Sequence, residues 1–255
     1  MRGLILIKLY GASVIGTSHL TTETPCHDAH AYRILSDDLG YVACVSDGMG
    51  SASNAELGSS TASLFIVDFL KEKLHPGLTD DEVILLIKEG YVQVNHLLEE
   101  TAELHELNVR DLNATLLVYI SIKDRQFFGQ VGDCTAIGKS GDTYKVLVPQ
   151  QRGEYANATF SICNMESIEN GLYEKCDGFY PMVALMSDGV ESISVSAKDS
   201  TVSSLFFDPF FKVFSHQNYN QAEVQKSLER FLQSERINKK TDDDKTLLFI
   251  QVSDE

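Results

Sequence analysis

Four aspartates in short motifs carry the chain's most concentrated chemistry. They are Asp28 in Cys26-His27-Asp28-Ala29-His30, Asp47 in Ser46-Asp47-Gly48-Met49-Gly50, Asp188 in Ser187-Asp188-Gly189, and Asp243 in Thr241-Asp242-Asp243-Asp244-Lys245-Thr246. The last three adjoin strand-like apolar runs: residues 41–45 precede Asp47, residues 183–186 precede Asp188, and residues 247–252 follow Asp243. Strand ends can bring distant carboxylates together, and like charges a few ångströms apart repel unless a cation lies between them. Oxygen-only donors then favour a hard divalent ion such as Mg2+ or Mn2+. A single Asp-Gly is ordinarily a turn, because Asp bonds its own backbone and Gly accepts positive φ. An isolated aspartate run is ordinarily a solvated loop. Metal chemistry is indicated by the combination: two Ser-Asp-Gly units that cap apolar strands, and an Asp-Asp-x-Thr that opens a final one.

The elements that must position these acids read as α+β. Residues 5–15, 29–35 and 41–46 read as strands, with Asp37-Asp38-Leu39-Gly40 as a hairpin turn. Residues 53–74 place Ala62, Phe65, Ile66, Phe69 and Leu70 at helical spacing, and Thr79-x-x-Glu82 is a capping box opening a helix to about Leu107. Residues 116–122, 126–131, 135–138 and 144–148 are short, closely spaced and separated by turns, which predicts antiparallel meanders. Residues 221–232 read as the last helix before a closing strand.

With 255 residues and 43% hydrophobic content, the chain predicts one domain over 1–255, with no linker or internal repeat. Five cysteines at irregular spacing fit neither a disulfide framework nor a CxxC zinc site, so a reducing cytoplasm is expected. Lys8 interrupts the first apolar run short of a signal-peptide core, and no run reaches the ~20 apolar residues of a membrane span. A formal charge of −16 argues against nucleic acid and anionic membrane surfaces as partners. It would also repel any anionic ligand unless bound cations made the site locally attractive. An acidic calcium module is disfavoured, because no Asp-x-Asp-x-Asp-Gly loop with its terminal glutamate occurs.

At these motifs the chain resembles the PPM family, the type 2C metal-dependent Ser/Thr protein phosphatases. Asp28-Ala29 resembles the family's early Asp-Ala, and Asp47-Gly48-Met49-Gly50 its bacterial Asp-Gly-Met-Gly. Residues 113–122 resemble its Ala-Thr-rich strand, Gly132-Asp133 its Gly-Asp turn, Asp188-Gly189-Val190 its Ser-Asp-Gly-Val segment, and Asp243-Asp244-Lys245-Thr246 its Asp-Asn-x-Thr. Residues 11–19 and 153–157 and the triple aspartate look closest to a compact bacterial branch.

The resemblance implies a four-layer α-β-β-α sandwich of two antiparallel sheets flanked by helix pairs. It implies hydrolysis of phosphoserine or phosphothreonine by direct attack of a water activated by two metal ions, Mg2+ or Mn2+. Asp47 would bridge the metals, the Gly48 carbonyl would bind one, Asp188 and Asp243 would bind the other, and Asp28 would orient water; Asp133 could support a third ion. The partner would be a phosphorylated protein, supplied by a cognate Ser/Thr kinase.

Cys26 and Cys163 read as ordinary thiols, since neither is followed by a phosphate-cradling loop ending in arginine. The chain departs from the family in three places. His27 stands where a carboxylate often precedes Asp28, Met49 where many members carry histidine, and Glu23 where an arginine anchors phosphate. His19, His30 and Arg152 are the alternative phosphate partners. On an extended strand His30 shares a face with Asp28 and His27 does not, which makes His30, beside a metal-bound water, a candidate proton donor to the leaving oxygen. The missing arginine sustains a second reading, a catalytically weak relative that binds phosphoproteins or acts as a scaffold.

The triple aspartate sets a register that mutation can test. Asp243→Ala and Asp188→Ala are each expected to abolish Mn2+-dependent turnover of p-nitrophenyl phosphate, while Asp242→Ala retains it. Equal loss at Asp242 and Asp243 would move the C-terminal ligand.

Overall fold

The computed structural model describes residues 5–35, 39–151, 160–196, 198–216 and 219–254. Asp37 and Asp38 of the expected hairpin turn, Arg152 and residues 153–157 lie outside them. The described residues form ten strands: β1 (Ile5–Val14), β2 (Ala29–Ile34), β3 (Gly40–Ser46), β4 (Leu116–Ile122), β5 (Arg125–Val131), β6 (Thr135–Ser140), β7 (Thr143–Val148), β8 (Leu172–Lys175), β9 (Met182–Met186) and β10 (Lys245–Asp254). Their helices are α1 (Thr17–Thr22), α2 (Ala55–Lys73), α3 (Asp80–Leu104), α4 (Met165–Glu169), α5 (Asp188–Ser194), α6 (Ser204–Lys212), α7 (Gln221–Leu232) and α8 (Glu235–Asn238). They gather into two compact units. Unit 1 comprises residues 1–26, 135–149 and 180–255; unit 2 comprises 27–134 and 150–179.

In unit 2 the sheet runs β2-β3-β4-β5-β8, antiparallel throughout. Val42 and Cys44 of β3 and Val118 and Ile120 of β4 meet Ile66 and Leu70 of α2 and Ile87, Tyr91 and Val94 of α3 in one apolar cluster. The alternate residues Tyr41, Ala43, Val45, Leu117 and Tyr119 are buried as well. Burial on both faces explains why these strands read as continuous apolar runs rather than alternating ones. The capping box of α3 is present: Thr79 Oγ1 accepts from Glu82 N (3.3 Å) and Glu82 Oε2 accepts from Thr79 N (2.7 Å). Arg33 Nε and Nη2 donate to the two carboxylate oxygens of Asp68 (2.6 and 2.9 Å), which ties edge strand β2 to α2.

In unit 1 the sheet runs β1-β10-β9-β6-β7, also antiparallel. Tyr10, Ala12, Ala184, Met186, Leu247 and Phe249 turn one face toward Phe207, Phe211, Leu228 and Leu232 of α6 and α7. The sequence pattern misses α6, because the Phe-rich stretch 204–212 contains Pro209, which reads as a helix breaker. Aromatic packing overrides that signal, with Phe210 and Phe211 each 5.1 Å from Phe249 between ring centroids. Residues 221–232 are helical as expected but are not the last helix, since α8 adds one turn beyond them. Each unit is therefore helices over an antiparallel sheet, and the α+β class is the one expected.

Tyr91 crosses from α3 into the unit 2 sheet, where its single hydroxyl proton is shared between Leu116 O (2.9 Å) and Gly129 O (2.6 Å). Tyr91→Phe is expected to cost about 1–2 kcal/mol. Calorimetry should record this as a Tm lower by about 2–6 °C.

Candidate functional site

The unit 2 acids sit where strands β2 and β3 end. Ala29 pairs with Ser46, so one further step along the register sets Asp28 opposite Asp47. The Asp47 backbone is fastened on both sides by one residue of β4's approach: Asp47 N donates to Thr115 Oγ1 (3.0 Å) and Thr115 N donates to Asp47 O (2.8 Å). Ser46 Oγ donates to Thr115 O (2.6 Å). On the other side, His27 O accepts from Ser59 Oγ of α2 (2.5 Å) and from Gly48 N (3.2 Å). Gly48 has to be glycine, because a Cβ there would stand 2.7 Å from His27 O and 2.8 Å from Ala55 Cβ. These bonds use backbone and hydroxyl groups, and they leave Asp47 partly exposed.

A third acid joins them. Gly132 adopts φ +117° and packs directly on Thr115, while its N and O are held by Gln151 and Gln130, so Asp133 follows a fixed turn. Burial first, and then the negative charges of Asp47, Asp133 and Asp28, push the Cys134 thiol well above its ordinary value. Cys134 is not a thiolate at neutral pH, and burial likewise pushes Cys163 up to about 11 and Cys44 up to about 12. Cysteine nucleophiles are thus unfavourable at these three positions.

In unit 1, β9 delivers Ser187-Asp188-Gly189 into the start of α5. Thr246 N donates to Ser187 Oγ (3.0 Å) and Ser187 N to Thr246 O (3.2 Å), which pins this turn to the head of β10. A Cβ on Gly189 would stand 2.1 Å from Asp244 O and 3.3 Å from Asp243 Cβ, so only glycine lets the Asp188 turn and the Asp243 loop lie this close. Asp243 is exposed and its carboxylate accepts from Asp244 N (2.9 Å).

The donors of each unit suit a hard divalent cation. In unit 2 Asp47 and Asp133 are partly exposed on rigid backbone and the Cys134 sulfur stays protonated; in unit 1 Asp188 is partly exposed and Asp243 fully so. Glu23, which stands in place of the family's arginine, is exposed in the left-handed region at φ 55°. The anticipated phosphate partners are less well suited. His19 is engaged by Asp244 at 2.9 Å. His30 faces away from the helices alongside Val45, and desolvation pushes its imidazole down to about 4, so at pH 7 it is neutral rather than a cation. The sequence motifs did not identify Thr115 or Ser187 as the hydroxyl residues that hold the acids. Ser187 had a local signal, since it directly precedes Asp188, whereas Thr115 lies 68 positions from Asp47 and had none.

A sequence profile described as Protein phosphatase 2C matches residues 15–233, ending before the triple aspartate. The chain is 30% identical over 247 residues to Serine/threonine-protein phosphatase 3 of Escherichia coli K12, covering 94% of this chain and 96% of that one. Among solved structures it is similar to the S. agalactiae serine/threonine phosphatase (TM-score 0.69, 12% identity, 97% of this chain and 100% of that). It is also similar to phosphatase Stp1 of Staphylococcus aureus (TM-score 0.65, 13% identity, 99% and 98%).

Because unfolded histidine titrates near 6.5 and folded His30 near 4, the unfolded state binds more protons between those values. The contribution of neutral His30 to stability is complete above pH 6.5 and is lost as the pH falls toward 4. Denaturant melts of His30→Gln are expected to lose less stability than wild type over that window, by about 1–3 kcal/mol. Parallel curves would show that His30 is not desolvated.

Proposed function

This chain belongs to the protein phosphatase 2C family and is a serine/threonine phosphoprotein phosphatase, and from that premise we propose a metal-dependent hydrolase with a defined ligand set. Asp47 and the Gly48 carbonyl in unit 2, and Asp188 and Asp243 in unit 1, are the metal ligands. The observation that carries this reading is the Asp47 turn, fixed through its backbone by Thr115 with its carboxylate still partly open, and set one register step opposite Asp28. Two Mg2+ or Mn2+ ions, with a third beside Asp133, would supply Lewis acidity and neutralise phosphoryl charge.

The chain's own groups do the rest. Asp28, opposite Asp47, accepts a hydrogen bond from the attacking water and orients it. His30, the candidate proton donor, contributes through an imidazole that burial keeps neutral at pH 7 and whose N–H can hydrogen-bond the leaving oxygen. The raised thiols of Cys134 and Cys163 support direct attack by water over a covalent cysteine intermediate. The substrate is a phosphorylated protein made by a Ser/Thr kinase. Residues 1–255 act as one phosphatase domain, a reading supported by the family match, which runs through segments of both units. No helix among the described residues is long and apolar enough to cross a membrane, which is compatible with the cytoplasmic setting proposed here. Glu23, exposed where the family arginine would stand, favours the second reading of a weakly active phosphoprotein-binding relative.

Turnover separates the two readings. Purified protein is expected to hydrolyse p-nitrophenyl phosphate and a phosphoserine peptide with Mn2+, and to lose this with chelator. Asp47→Asn should lower kcat at least about 100-fold with an unchanged circular dichroism melt. Wild-type turnover in Asp47→Asn would refute the ligand set, and absence of turnover in the wild type would favour the binding module.

A further inference from the structure

The three consecutive aspartates of unit 1 have three different environments. Asp242 is exposed and uses its carbonyl, which accepts from Ser18 N (3.0 Å) and Ser18 Oγ (2.8 Å). Asp243 is exposed with an outward carboxylate. Asp244 is 3% exposed, and both its carboxylate oxygens are engaged: Oδ1 accepts from Gly16 N at 2.6 Å, and Oδ2 lies 2.9 Å from His19 Nδ1. A carboxylate so far from water is costly unless bonded this way. The turn it grips is pressed against the aspartate loop, since a Cβ on Gly16 would stand 2.3 Å from Asp243 C and 2.4 Å from Asp242 O. On the far side, fully buried Lys245 donates its Nζ to Asp243 O (2.9 Å).

Asp243 is therefore held at every neighbouring bond while its own carboxylate stays open. The carbonyl before it is tied to Ser18, its own carbonyl to Lys245, and the side chain after it to Gly16 and His19. We propose that Asp244 and His19 form a buried carboxylate–imidazole clamp that positions the Asp243 loop for a divalent cation. In this proposal both act as positioning residues. The inference rests on the reading of Asp243 as a ligand. A ligand on an unclamped loop would have to be ordered when the ion binds, and that entropy would be subtracted from affinity. With the clamp in place the ordering is completed on folding, so its loss should appear in metal binding before it appears in the chemical step.

Isothermal titration of Mn2+ into wild type, Asp244→Ala, His19→Ala, His19→Gln and Asp243→Asn tests this, together with kcat at saturating Mn2+ and a melt of each variant. Asp244→Ala and His19→Ala are each expected to weaken Mn2+ binding about 10-fold, as outer hydrogen-bond partners of metal ligands commonly do. Their kcat at saturating Mn2+ should stay within about threefold of wild type. Because they break the same bond, the double variant should bind no worse than about threefold below the weaker single. His19→Gln, whose amide can still donate to Asp244, should recover most of the affinity and guards against loss of folding in His19→Ala. Wild-type Mn2+ affinity in Asp244→Ala and His19→Ala, with Asp243→Asn weakened, overturns the clamp alone. Unchanged affinity with a collapsed kcat overturns it in favour of a direct role on substrate. If Asp243→Asn binds Mn2+ as wild type does, the ligand assignment fails and the clamp fails with it.

Discussion

Mutual repulsion among carboxylates is the constraint on which this structure depends. Asp28 lies one register step opposite Asp47, and Asp188 and Asp243 come from backbone segments that only a glycine lets meet. Left to relax, such groups would turn outward or separate. They are held by bonds that do not consume their charge. Thr115 takes both backbone groups of Asp47, and Ser187 and Thr246 bind one another across the Asp188 turn. Each unit uses the same device, a hydroxyl residue that fastens the backbone of an acidic turn and leaves the acid itself partly open.

Fastening of this kind requires rigid strand ends, and burial on both faces supplies them. β3 and β4 are buried along their whole length, and in unit 1 Leu247 to Ile250 are buried at consecutive positions. Close packing leaves such strands few alternative registers, and the acids at their ends inherit that immobility. The helices take part directly: Ser59 of α2 holds the chain entering Asp28, and Tyr91 of α3 bonds carbonyls of β4 and β5.

The same burial selects the chemistry by removing competitors. Thiols at positions 44, 134 and 163 are driven away from thiolate, and His30 is driven toward the neutral form. Hard oxygen donors remain, from acids that the fold keeps partly open. Asp244 marks the boundary between the two roles an aspartate can take here. It is the same residue type as its neighbour, but its burial beside Gly16 and His19 makes it part of the framework, whereas exposure leaves Asp243 available.

What the sequence by itself determined was local and ordered. Apolar runs of strand length, the Thr79–Glu82 capping box and the succession of aspartate motifs follow from periodicity and turn chemistry, which act over a few residues, so elements such as α3 and β3 were legible. Only the tertiary structure decided what depends on contacts far apart in the chain. Helix α6 forms around Pro209 because Phe249 and Tyr10 pack against it, a stabilisation absent from its own nine residues. Thr115 becomes the anchor of Asp47 from 68 positions away, and Asp244 is separated from Asp243 in role by partners 225 and 228 positions away. Burial and proton affinity are properties of a neighbourhood that forms only when the chain folds, so the sequence could nominate acids and histidines but could not assign their charge or their duties.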